Sequence, residues 1–78
     1  MSDTIEGYIQ DIHISRDGNR WGIKVQGLYY GTFDESVARE AIEVKHVTGR
    51  VRIEWVAAGV WRNIVKMETI KLIERKGG

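Results

Sequence analysis

The sequence predicts a small all-β barrel of five strands with one helix, in the order β-β-β-α-β-β. Three observations carry this. Trp21 to Phe33, WGIKVQGLYYGTF, alternates on both sides of Gln26-Gly27, the pattern of a hairpin whose glycine supplies the positive φ of a tight turn. After Phe33 the apolar period changes from strand-like to helical, then reverts at Arg50. Finally, 78 residues are too few to bury both faces of a flat sheet, whereas a barrel with the helix plugging one end gives every apolar face a partner and removes sheet edges. The runner-up is an open α+β sheet with the helix on one face.

The whole chain, 1–78, reads as one domain with loose ends at about 1–4 and 75–78. From Ile5 to Ile14, IEGYIQDIHI places Ile5, Gly7 and Ile9 on one face, then Ile12 and Ile14 on the opposite parity. A switch of parity inside one strand predicts a bulge near Gln10 or Asp11, and so a bend. Ser15 to Asn19 is a turn centred on Asp17-Gly18, and the hairpin follows. Asp34 is the expected N-cap, with Thr32 and Glu35 offering a capping box slightly earlier. Val37, Ala38, Ala41, Ile42 and Lys45 then follow helical spacing, with Val44 and Val47 leading to a turn at Thr48-Gly49. In RVRIEWV, Val51, Ile53 and Trp55 face inward. Ala57 to Val60 reads as a small-residue loop with Trp61 at its end, and the last strand is expected from Arg62, with Val65 and Met67 inward and Ile64 outward.

Composition excludes several classes of function. The apolar share of 42% and charged share of 29% are those of an ordinary globular domain, with no apolar run long enough to span a membrane. MSDTIEGY is too polar and acidic to be a signal peptide, and the absence of cysteine suits a reducing cytoplasm. Net charge is +1, but residues 1–43 hold four basic and eight acidic side chains, whereas residues 44–78 hold eight and three. The basic half can present a positive face to phosphate, or its charges can be mixed in space by folding.

The hairpin holds the functional clue. With Gln26-Gly27 at its turn, Trp21, Ile23, Val25, Leu28, Tyr30 and Thr32 share the core face. The other face sets Lys24 beside Tyr29, Gly22 beside Gly31 and Arg20 beside Phe33, so that cations and rings surround two bare glycines. A slip of one residue would exchange the faces and make Trp21 and Tyr30 the ligand pair. Trp61 follows AAGV, which gives it little to bury against and marks it as a ligand contact, with a cap on the barrel end as the alternative.

Taken together, IEGYI, WGIKVQGLYYGTF, the short helix, TGRVRIEW and WRNIVKM resemble an OB-fold domain of the small single-stranded nucleic-acid-binding type, over about residues 5–70. The resemblance implies a ligand strand lying across the second and third strands, between the first and last loops. Residue by residue it implicates Arg20, Lys24, Tyr29 and Phe33 on the hairpin, Arg16 in the first loop, and Trp61 and Arg62 at the last. Gly22 departs from the family, where a ring or larger polar group is often found. The implied function is non-catalytic binding of single-stranded DNA in replication, repair or recombination, with RNA as the alternative partner and a homodimer as the working unit. No cofactor or metal is implied.

Two other readings stand beside it. A protein-interaction or assembly module would bury the same rings against a partner, using Ile64, Ile70, Leu72 and Ile73. Enzyme chemistry has little to work with: His13 and His46 are isolated, Ser15 and Ser36 lack a base, and no phosphate loop or metal-ligand spacing occurs. His13 reads as a surface strand residue. Arg50, Arg52, Lys66 and Lys71 form either a second basic stripe or surface ion pairs, such as Arg50 with Glu68. Tyr8 is a fringe contact on the outer face of the first strand.

Overall fold

A computed structural model describes residues 2–47 and 49–70. Strands β1 (Asp3–Ile14), β2 (Trp21–Val25) and β3 (Leu28–Thr32) lead to helix α1 (Glu35–His46), and β4 (Arg50–Ala58) and β5 (Trp61–Ile70) complete a closed barrel ordered β1-β2-β3-β5-β4. This is the expected fold class. Closure occurs where β3 meets β5 in parallel, Gly31 against Asn63, which excludes the open sheet.

β1 serves two neighbours because it bends. Its first half pairs β4, Asp3 with Trp55 through Tyr8 with Arg50, and its second half pairs β2. Residues 3 and 4 are therefore paired strand rather than a loose end. The register shifts between Ile9 and Asp11, the bulge that the parity switch predicted. Beyond it Ile12 packs on the core, whereas Ile14, expected inward, is exposed at the strand end.

The hairpin adopts the expected register: Trp21 pairs with Thr32, Ile23 with Tyr30, Val25 with Leu28. Gln26 and Gly27 have φ of 52° and 83°, two successive left-handed residues whose twist matches that of the strands. Two hydrogen bonds dock the turn on β1. The Gln26 amide donates to the Glu6 carbonyl at 2.6 Å, and the Gly27 N–H donates to Gln10 Oε1 at 2.7 Å. Tyr30 is only 1% exposed, so the slipped register that would turn it outward does not occur. Leu28, at the turn, is exposed despite its inward parity.

Asp34 caps α1, accepting from the Ser36 N–H at 2.9 Å and its hydroxyl at 2.7 Å, and the capping-box start at Thr32 is not used. The helix touches β1, β2, β3 and β4, as a plug at one barrel end must. Ala38, Ala41 and Val44 are its buried face. Val44 is thus helical core rather than linker, and Ile42, expected inward, is exposed. Among the described residues no helix is long and apolar enough to cross a membrane.

β4 alternates as expected, with Val51 and Ile53 buried and Trp55 packed on the core. The β4–β5 connection is shorter than predicted: Ala57 and Ala58 pair with Arg62 and Trp61, leaving Gly59 and Val60 as the turn, with Gly59 at φ 67°. Between the pairs Glu54–Lys66 and Trp55–Ile64, Val65 is an extra residue. That bulge inverts the predicted parity: Ile64 is 8% exposed and Val65 55%. Residues 71–78 and Thr48, including Lys71, Leu72, Ile73, the expected frayed tail and half of the Thr48-Gly49 turn, lie outside the described residues.

Candidate functional site

Cross-strand pairing builds the site row by row. His13 of β1 faces Gly22 of β2, Gly22 faces Gly31 of β3, and Gly31 faces Asn63 of β5. On either side of this row run Asp11–Lys24–Tyr29 and the segment holding Arg20 and Phe33. Two adjacent glycines leave a trough of backbone across the outer sheet, and two rings occupy it. The Tyr29 ring leans over Gly22, where an added Cβ would lie 3.2 Å from its Cδ1. The Trp61 ring lies against Gly31, where a Cβ would come within 2.8 Å of Cε2 and closer still to Cζ2 and Cη2. Only glycine leaves room for the indole in that seat.

Charge is layered on the rings. The Arg20 guanidinium sits 4.1 Å from the Trp61 ring centroid, and Phe33, 65% exposed, lies 6.5 Å from the same ring. Lys24 lies 5.7 Å from the Tyr29 centroid. Around Arg20 the surface dips into two adjoining clefts. One, of about 530 Å³, runs between His13, Gly22, Tyr29 and Trp61; the other, of about 390 Å³, runs between Asp17 and Phe33; Ser15, Arg16 and Arg20 line both. The first loop is held rigid by the Ser15 hydroxyl donating to Asp17 at 2.6 Å and by the Ser15 and Gly18 N–H groups bonding within the turn.

Two carboxylates lie near the groove: Asp17 lines one of its clefts, whereas Asp11 lies past the Tyr29 hydroxyl and lines a separate cleft with Ile12, Ile42, Lys45 and His46. Asp11 accepts the Tyr29 hydroxyl at 2.7 Å, and this bond, aided by Lys45 and Lys24, holds its carboxyl below the usual carboxylate value while raising the Tyr29 phenol. Asp17 is likewise held low, first by the Ser15 hydroxyl and then by the Asn19 N–H. Both stay ionised at neutral pH.

Of the residues singled out from the sequence, Arg16, Arg20, Tyr29, Phe33 and Trp61 converge on this groove, with Lys24 beside Tyr29. Trp61 does not stand apart from the fold as expected: it is half-buried on its glycine seat. Arg62 does not join them. It shares the parity of Ile64, and its guanidinium sits 5.8 Å from the Tyr30 ring and 6.0 Å from Trp55, both on the core side. Trp21 is half-buried on the core parity and lines neither cleft. His13 was missed as a site residue. Its signal was available: with a bulge at Gln10, His13 must fall opposite Gly22, and its ring makes an edge contact with Tyr29 at 6.5 Å. Tyr8 lies elsewhere, beside Arg50.

Among the described residues the second basic stripe is ion-paired, three cations sharing two carboxylates. Arg52 pairs with Glu6 at 2.8 Å and Glu68 at 3.4 Å, Arg50 with Glu6 at 3.8 Å, and Lys66 with Glu68 at 3.3 Å. Glu68 stands opposite Arg52 rather than Arg50. Compared with known protein families, curated proteins and solved structures, the chain has no match.

Proposed function

We propose that this protein binds single-stranded nucleic acid, DNA foremost, without catalysis, in the manner of an OB-fold domain. The observation that carries the reading is the glycine trough with its three rings, Tyr29, Trp61 and Phe33, and Arg20 set over Trp61. Bases need flat apolar faces and phosphates need mobile cations, and the groove offers both on a rigid sheet. A stacked base contributes about 1–3 kcal/mol, so three positions supply about 3–9 kcal/mol, and about micromolar binding, which needs about 8 kcal/mol, lies near the upper end of that range. Arg16, Arg20 and Lys24 neutralise few phosphates, which gives a log–log salt slope of about −1.5 to −2 for a single strand. Duplex DNA would present the groove with no unstacked bases. A reducing, cytoplasmic setting agrees with a cysteine-free chain; such binding would serve replication, repair or recombination, and pairing of two barrels would lengthen the strand covered.

The assembly reading loses one support, since Ile64 is buried rather than outward. The test is anisotropy of labelled single-stranded DNA, matched RNA and duplex at two salt concentrations. Tight, salt-sensitive binding of single strands with weak duplex binding is expected. No binding at low salt, or duplex bound equally well, contradicts the proposal.

A further inference from the structure

We infer that Asp11 is a base-reading residue: the nucleotide stacked on Tyr29 is selected for an exocyclic amino group, so cytosine is preferred to uracil or thymine at that position. This rests on the single-strand reading above. Its geometry comes from the row Asp11–Lys24–Tyr29. The Tyr29 ring starts on β3, passes over Gly22 of β2 and reaches β1, where its hydroxyl donates to Asp11 Oδ2 at 2.7 Å. A base stacked over the hydroxyl end of that ring would bring its edge to a carboxylate that the ring itself holds at the margin of the cleft.

The chemistry of that edge decides the outcome. An ionised carboxylate only accepts hydrogen bonds, and it has capacity for about four, of which Tyr29 uses one. The Tyr29 hydroxyl, with Lys24 and Lys45 nearby, keeps Asp11 ionised at neutral pH. Cytosine offers its N4 amino group to such an acceptor, the pairing by which acidic side chains read cytosine elsewhere. Uracil and thymine present the O4 carbonyl at the same place, which the carboxylate repels, and keep only the adjoining N3–H as a donor on that edge. The same negative charge also repels phosphate, so Asp11 lowers general affinity while adding selectivity.

The experiment compares short oligo-dC and oligo-dU, which differ at the ring only in the position-4 group and its adjoining nitrogen, at pH 7.5 and low salt. Wild type is expected to prefer oligo-dC by about fivefold, the lower end of discrimination by side chain-to-base hydrogen bonds because the site is open to water. Asp11→Asn, whose amide both donates and accepts, is expected to bind both oligomers more tightly and to lose the preference. Tyr29→Phe keeps the ring but releases the carboxylate, so the ratio of the two affinities falls toward one. Equal wild-type affinities for the two oligomers, or a preference unchanged in Asp11→Asn, overturn the inference while leaving single-strand binding intact. Failure to bind either oligomer overturns the proposed function, and this inference with it.

Discussion

Gly31→Ala isolates the seat of Trp61 from the stability of the barrel. A single methyl at Gly31 would lie within 2.8 Å of Trp61 Cε2 and nearer to the outer ring atoms, whereas carbon atoms pack at about 3.5–4.0 Å, so the indole must retreat by at least about 1 Å. Gly31 is not in the left-handed region, so alanine meets no backbone strain. Replacing a strand glycine stabilises the backbone by about 0.5–1 kcal/mol. Losing the contact between Arg20 and Trp61, 4.1 Å from guanidinium to ring, costs about the same at an exposed site. Stability should consequently stay within about 1 kcal/mol of wild type. Binding should not: removing one stacking position weakens a single strand by about 5- to 150-fold. Urea denaturation reads the first quantity, and anisotropy of a labelled oligomer, which does not depend on tryptophan emission, reads the second. A variant with shifted tryptophan emission and undiminished affinity would refute the reasoning.

Arg20→Ala should weaken binding and reduce the log–log salt slope by about 0.7, whereas Arg20→Lys restores the slope without full affinity, because lysine keeps the charge but not the planar stack; a salt series on both variants checks this. Ile53, fully buried in the barrel, should cost about 2–5 kcal/mol when replaced by alanine, enough to unfold much of so small a domain, as thermal melts would reveal. At acid pH, Asp11, Asp17 and Asp34 share one sign: each is held below 3.8 by hydrogen bonds, Asp34 chiefly by the Ser36 hydroxyl. Stability from a depressed carboxyl is complete above its unfolded value and lost as pH falls through the lower folded one, so urea midpoints should drop below about pH 4. Asp34→Asn, which keeps a capping oxygen but cannot titrate, should drop less steeply.

The hairpin was legible because a two-residue turn with a glycine dictates register, and register dictates which side chains share a face. The bulge in β1 was legible for a related reason, since isoleucines on opposite parities cannot both be inward on an unbroken strand. The matching bulge at Val65 was not. Ala57 and Ala58 carry no pattern that separates strand from loop, so the strand start was displaced, and nothing in NIVKM marks Val65 as the extra residue that inverts the parity of Ile64 and Val65 while leaving Met67 inward. Arg62 was assigned to the groove by resemblance rather than parity, and the observed register sends it to the core side. Val44 and Ile42 exchanged roles because several helical stripes fit so short an apolar pattern, and packing against the barrel selected one. The seating of Trp61 on Gly31 joins residues thirty positions apart across a parallel contact that no local pattern announces.

A titration of isotopically labelled protein with a short single strand, followed by amide and indole N–H shifts, tests where ligand lies. The groove account predicts the largest changes at the Trp61 indole, Gly22, Gly31, Arg20 and Phe33, with Arg52 and Glu68 on the far side of the barrel unmoved. Shifts concentrated on the Arg50, Arg52 and Lys66 face, or no shifts at all, would contradict it.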